Sequence, residues 1–201
     1  MFDLATHFPQ LEFLDLGSGF KVSYQDGDVY TDIELLGKKV AETFFNYEKE
    51  TGKKIEVWFE PGKYLVSEAG YFVVKANVIK QTTATVFVGV NSGFNHLIRP
   101  MFYDSYHRIQ NLSNPTGSGR IYTVVGNICE TDTFAWDRQL NEVRAGDYLV
   151  FYNAGAYGFE MSSHFNSRLK PAEVLVKDGK ALLIRKRDEF EDLLKNQIEV
   201  L

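Results

Sequence analysis

The chain has 201 residues, enough for one large domain or two small ones, and carries 22 Lys and Arg against 27 Asp and Glu, a formal charge of −5. That mildly acidic balance lacks the basic footprint of a nucleic-acid binder, and no apolar run reaches the roughly 20 residues of a membrane helix. The one cysteine, Cys129, excludes an internal disulfide framework and any multi-cysteine metal site, and it fits a reducing compartment.

Residues 1–10 lack the basic-then-apolar order of a secretory signal, so a soluble cytoplasmic protein is expected. Residues 11–16 read as a short strand running into the turn Gly17-Ser18-Gly19. A helix follows over about 33–51. Thr31 and Glu34 have capping-box spacing, Asp32 adds negative charge at the helix start, and Gly52 is a stop. Ile33, Leu36, Val40, Phe44 and Tyr47 form its apolar stripe. Residues 55–59 are a strand closed by Glu60-Pro61-Gly62. Strand, helix-length crossover and strand predict a parallel pair.

The character changes near residue 70. Residues 64–80, 85–90, 121–128 and 148–152 read as strands separated by Gly, Asn and Asp clusters. Residues 172–176 and 181–184 flank Asp178-Gly179, a hairpin signal, and a short polar helix follows near 188–196. The second part is therefore expected to be mostly antiparallel β, packed directly on the first.

Several segments could carry chemistry. Gly17-Ser18-Gly19 can bring backbone N–H groups to a phosphate, or it is an ordinary turn. Glu60-Pro61-Gly62-Lys63 can place a carboxylate and a cation past a strand end, or it is a solvated Pro-Gly turn. Arg99, near Tyr103 and Tyr106, can bind a carboxylate through its planar fork. His96 and His107 lack compelling metal spacing and are read as non-ligands; no metal site is expected. Cys129 is either a small buried hydrophobe or, beside Glu130, a proton donor or nucleophile. Tyr157, among small residues in 153–158, either meets a ligand or packs in a turn.

The order of these segments resembles the C-terminal half of the diaminopimelate decarboxylases, pyridoxal-phosphate (PLP) enzymes of the alanine-racemase-like fold type. The stretches are 14–20, with Gly17-Ser18-Gly19; Glu60-Pro61-Gly62-Lys63; 96–104, with Arg99-Pro100-Met101-Phe102-Tyr103; 125–130, ending Cys129-Glu130; 154–159, with Ala156-Tyr157-Gly158; then Met161-Ser162-Ser163, Asn166-Ser167-Arg168 and Pro171-Ala172-Glu173-Val174. Together they cover residues 11–187.

The resemblance implies an α/β plus all-β fold. Residues 1–68 would be the last part of a PLP-binding (β/α)₈ (TIM) barrel. Residues 69–201 would be an antiparallel β-barrel or Greek-key domain with a short C-terminal helix. It implies that Gly17, Ser18, Gly19, Glu60, Gly62, Lys63 and Tyr157 bind PLP, with Glu60 on the pyridine nitrogen. Lys63, Arg99, Tyr103, Glu130 and Tyr157 would bind the amino-acid substrate. Cys129 would return a proton to the carbon that carbon dioxide leaves. The Cys-Glu segment would enter the partner's site, making a homodimer.

Three positions depart from the family pattern. Ser18 replaces a glycine, Lys63 an arginine, and Asn91 an aspartate. Ser18 keeps the backbone contact if its φ is negative; Lys63 keeps charge but loses the planar fork. In such enzymes a lysine near the start of the barrel holds the cofactor covalently, and no lysine here stands in that context. The chain is therefore expected to be the C-terminal part of a longer decarboxylase, inactive alone, with residues 1–65 packed on another copy or rearranged. The activity implied is conversion of meso-diaminopimelate to L-lysine and carbon dioxide. The alternatives are a sister decarboxylase for ornithine, arginine or carboxynorspermidine, and a non-catalytic dimerisation or binding module.

Overall fold

In the computed structural model, residues 1–200 are described and the chain divides into two units, Met1–Ser67 and a second beginning at Glu68. In the first, a short helix α1 (Phe2–Ala5) precedes strand β1 (Phe13–Asp15), helix α2 (Ile33–Thr51), strand β2 (Glu56–Trp58) and helix α3 (Lys63–Val66). β1 and β2 pair in parallel, Phe13 opposite Glu56 and Asp15 opposite Trp58, with α2 as the crossover. The helix buries Tyr47 and half-buries Leu36, Val40 and Phe44 at three- and four-residue spacing, while Ile33 stays exposed. Phe2 meets Phe44 edge-on at 5.0 Å, in a small core with Ala5, Tyr47 and Ile55.

The helix start differs from the spacing-based expectation. Asp32 is the N-cap, its carboxylate accepting from Leu35 N at 2.9 Å, and Thr31 Oγ1 instead accepts from Lys21 N. An aspartate one residue closer fills the cap and adds charge to the dipole, so the capping box has no role here. Gly52 ends the helix at φ 69°, the left-handed C-cap that glycine adopts without strain.

The second unit holds a six-stranded sheet of β3 (Phe72–Gln81), β4 (Val86–Val90), β5 (Ile109–Asn111), β6 (Gly119–Val125), β7 (Thr133–Asn141) and β8 (Tyr148–Phe151), in the order β5-β8-β3-β4-β6-β7. It is mixed rather than wholly antiparallel. β4 and β6 run parallel, because the 28 residues between them (91–118) carry a helix, α4 (Arg99–Tyr103), and β5 across to the other edge. The two edge strands approach one another, and side chains stitch the seam: Asn111 Nδ2 and Asn114 Nδ2 both donate to Glu142 O, at 2.8 and 3.0 Å. The nearly closed sheet surrounds a core that includes Val88, Val124, Leu149 and Phe151.

Beyond it, β9 (Glu173–Lys177) and β10 (Lys180–Arg185) form the expected hairpin. Asp178 and Gly179 both take positive φ at its tip, and the short helix α5 (Phe190–Leu194) follows. The strand expected over 64–80 begins only at Phe72; residues 63–69 are helical. The strand expected to reach 128 stops at Val125. β5, β7 and α4 were not expected. No described helix is long and apolar enough to cross a membrane.

Candidate active site

In the first unit the candidate residues gather at the C-terminal end of the parallel pair. Hydrogen bonds continue past the strands: Leu16 N donates to Trp58 O at 2.9 Å and Glu60 N to Gly17 O at 2.7 Å. Gly17 and Glu60 are therefore held side by side. Gly17 N is used by the Asp15 carboxylate at 2.7 Å, which closes the turn. Gly17 and Gly19 take φ of 67° and 101°, whereas Ser18 does not have positive φ. The one non-glycine thus sits where a side chain costs nothing.

Neither Ser18 N nor Gly19 N makes a hydrogen bond among the described residues, and an added Cβ at either glycine would meet nothing within 4 Å. The exposed Glu60 carboxylate makes no ion pair or hydrogen bond among the described residues. Two unengaged N–H groups and an unengaged carboxylate, fixed on adjacent strand ends, suit an anion and a protonated ring nitrogen. Gly62 precedes α3, and Lys63 Nζ lies 5.5 Å from the Tyr24 ring centroid.

In the second unit Arg99 begins α4. Its guanidinium lies 5.5 Å from the Tyr103 ring centroid and 5.8 Å from that of Tyr157, and one amino group donates to Ser105 Oγ at 3.2 Å. Arg99 Nε is buried and meets no acceptor among the described residues. Tyr157 reaches this place from a tight loop with Asn153 and Tyr157 at φ 57° and 55°. Gly155 lies so close to Gly70 that a Cβ on Gly70 would fall 2.2 Å from Gly155 Cα. A cation flanked by two aromatic faces, with most of its five donors unspent, is equipped for a carboxylate.

Cys129 and Glu130 are not part of this cluster. They sit in the loop after β6, both exposed, with Asn166 Nδ2 3.5 Å from Cys129 Sγ. Cys129 is thus not a buried hydrophobe. Glu130 lines an open cleft of about 450 Å³ with Phe94, Ile98, Met101, Phe102, Thr131 and Phe165.

The sequence reading missed what holds that loop. Asp132, 6% exposed, accepts from Phe94 N at 2.7 Å through Oδ1 and from Ile128 N at 2.8 Å through Oδ2. Burial raises its carboxyl above the usual range, against the pull of those two N–H groups. The available signal was the pair of glycines, Gly93 and Gly126, whose added Cβ atoms would fall 2.7 and 2.0 Å from Asp132 Oδ2.

The histidines serve structure. His96 bridges Ser92 Oγ at 2.7 Å and Leu169 O at 3.0 Å, and burial lowers its pKa. His107, buried, donates from Nδ1 to Tyr152 O at 2.8 Å. Burial above all, then the charges of Arg99 and Arg138, takes it down to about 4. Asn91 Oδ1 accepts from Lys75 N at 2.8 Å beside the β3 bulge, a bond in which an aspartate oxygen would serve equally.

Residues 63–155 match the family described as pyridoxal-dependent decarboxylase, C-terminal sheet domain. A diaminopimelate decarboxylase of Methanothermobacter thermautotrophicus is 42% identical over 191 residues, covering 94% of this chain and 44% of that protein. A crystal structure of a diaminopimelate decarboxylase superposes with a TM-score of 0.90 at 36% identity, covering 97% of this chain and 50% of the other. The Methanocaldococcus jannaschii enzyme, in co-complex with L-lysine, does so with a TM-score of 0.88 at 30% identity, covering 99% and 46%. Over nearly its whole length, then, the chain is a homologue of the diaminopimelate decarboxylases, and it spans about half the length of the relatives it matches.

Proposed function

We propose that this chain belongs to a cytoplasmic, homodimeric, PLP-dependent decarboxylase that converts meso-diaminopimelate to L-lysine and carbon dioxide. Residues 1–68 would be the C-terminal part of a (β/α)₈ barrel and residues 69–201 the β-domain. Catalysis would also need the part of the relatives that this chain does not span, including a lysine to hold the cofactor. The observation that carries the reading is the adjacency of Gly17 and Glu60, joined by a 2.7 Å backbone bond at the end of a parallel strand pair.

When bound, PLP supplies the sink for the electron pair released as carbon dioxide leaves. Ser18 and Gly19 would donate their N–H groups to its phosphate, with Gly17 and Gly62 shaping the approach. The Glu60 carboxylate would hold a proton on the pyridine nitrogen. Lys63 would offer a point charge near the anionic groups, without a fork. Arg99, backed by Tyr103 and Tyr157, would grip the substrate's distal carboxylate, and Glu130 its distal ammonium. Tyr157 would also contact the phosphate region. The Cys129 thiol would donate its proton to the carbon that lost the carboxylate, in the partner subunit's site. Arg99 favours diaminopimelate over ornithine or carboxynorspermidine, which have no distal carboxylate to offer it.

The test is an assay of the whole protein, supplied with PLP, on meso-diaminopimelate, ornithine, arginine and carboxynorspermidine. Lysine and carbon dioxide should form in equal amounts from the first. Arg99→Met should lower kcat/KM for that substrate by about 100-fold, as loss of a charged pair does. Failure of lysine to form, with turnover of another substrate, overturns the assignment.

A further inference from the structure

We propose that Asp132 is a positioning residue, whose two carboxylate oxygens fix the Cys129–Glu130 loop against the turn at residues 93–95. The proposal rests on the roles given to Cys129 and Glu130 above.

The loop leaves β6 at Val125 and returns at Thr133, so Cys129 and Glu130 stand at its tip. Three ties fix its base: Gly126 N to Asp132 O at 2.7 Å, Asn127 N to Ser92 O at 3.0 Å, and Ile128 N to Asp132 Oδ2 at 2.8 Å. The fourth bond, Phe94 N to Asp132 Oδ1 at 2.7 Å, crosses to the wall of the cleft that Glu130 also lines. Two N–H groups therefore reach one side chain, each at its own oxygen. An asparagine offers one oxygen and one NH₂, so one of those N–H groups would face a donor. A Cβ added at Gly93 or Gly126 would fall 2.7 or 2.0 Å from Asp132 Oδ2, so the carboxylate occupies space that a side chain at either position would take. No cation pairs with Asp132 among the described residues, so the carboxylate is spent wholly on loop geometry. A proton donor and a substrate clamp one and two residues from the tied Ile128 inherit that geometry; a displacement of about 1 Å at such groups costs on the order of 100-fold in rate.

The experiment is steady-state kinetics of the holoenzyme with Asp132→Asn, together with hydrogen exchange of the unsubstituted protein. The variant should fold, with kcat lowered about 10- to 100-fold and KM for the substrate raised several-fold. Loss of folded enzyme alone would lower kcat in proportion and leave KM where it was. That result, or kinetics within twofold of the unsubstituted enzyme, overturns the proposal. Hydrogen exchange decides the tie even where the variant does not fold. The Phe94 and Ile128 N–H groups should exchange about 100-fold or more slowly than open-loop amides; exchange at open-loop rates overturns it. Because exchange does not depend on turnover, an enzyme that makes no lysine would sink the decarboxylase reading and leave Asp132 to be judged separately.

Discussion

The two units divide labour unequally. Residues 1–67 gather a small core around Ala5, Tyr47 and Ile55, and they leave Phe13 and Trp58 stacked at 4.0 Å, the two residues 40% and 48% exposed. The second unit curls its sheet until the edges meet and encloses a core many times larger. The difference teaches that candidate site groups need not stand on a large core, since the second unit carries Arg99, Cys129 and Glu130 on one and the first unit has little of it. The first unit offers backbone donors and a carboxylate on two short strands, while the second brings its own buried framework.

The sharpest way to break that contrast is truncation in each unit. Leu149→Ala, fully buried on β8, should cost about 3 kcal/mol in denaturant unfolding of the second unit. Phe13→Ala removes a half-exposed ring and should cost about 1 kcal/mol or less. Equal losses would refute the unequal cores.

Acid should single out the second unit by a comparable amount. His107 has a native pKa of about 4, below the 6.5 of the exposed ring. Between those values the unfolded chain binds the extra proton, so stability falls as pH drops from 6.5 towards 4, by about 3 kcal/mol in all. His107→Asn keeps a donor for Tyr152 O and should flatten that window in urea titrations. An unchanged slope would show that other groups set the acid response.

A second small effect belongs to the first unit. Asp32→Ala removes the acceptor of Leu35 N and should cost about 1 kcal/mol, read as loss of helical circular dichroism on mild heating. An Asp32→Ala loss as large as that of Leu149→Ala would mean that α2 carries more of the fold than its one buried and three half-buried apolar side chains suggest.

The pattern of that helix was plain in the sequence because nineteen residues repeat it, and Gly52 marks its end. The Asp178-Gly179 turn was plain because both residues must take positive φ. Other elements were hidden for physical reasons. Tyr64, Leu65 and Val66 form an apolar run too short for its period to separate helix from strand. β7 is interrupted by Asp137 at φ 44°, which breaks its alternation. The parallel pairing of β4 and β6 depends on where a 28-residue excursion goes, and local pattern carries no trace of it. At the site, Arg99, Tyr103 and Tyr157 meet although 58 residues separate the first and last, and only the resemblance linked them beforehand. Asp132 stayed hidden because a loop acid looks solvated until the N–H groups around it are placed.

β8 has a further consequence. It lies between β3 and β5, hydrogen-bonded to both, yet it is the last of the six strands in chain order. A ribosome making this chain has released five strands before the one that joins them exists. Until residue 151 emerges, β3 presents an open edge and β5 has no neighbour in the sheet. The sheet is thus assembled by a late central insertion rather than by growth from one end. Pairings such as Phe72 with Phe151 span 79 residues, and separations of that size slow folding. The interval in which that edge of β3 stands open is the time at which this chain is most exposed to joining the wrong strand.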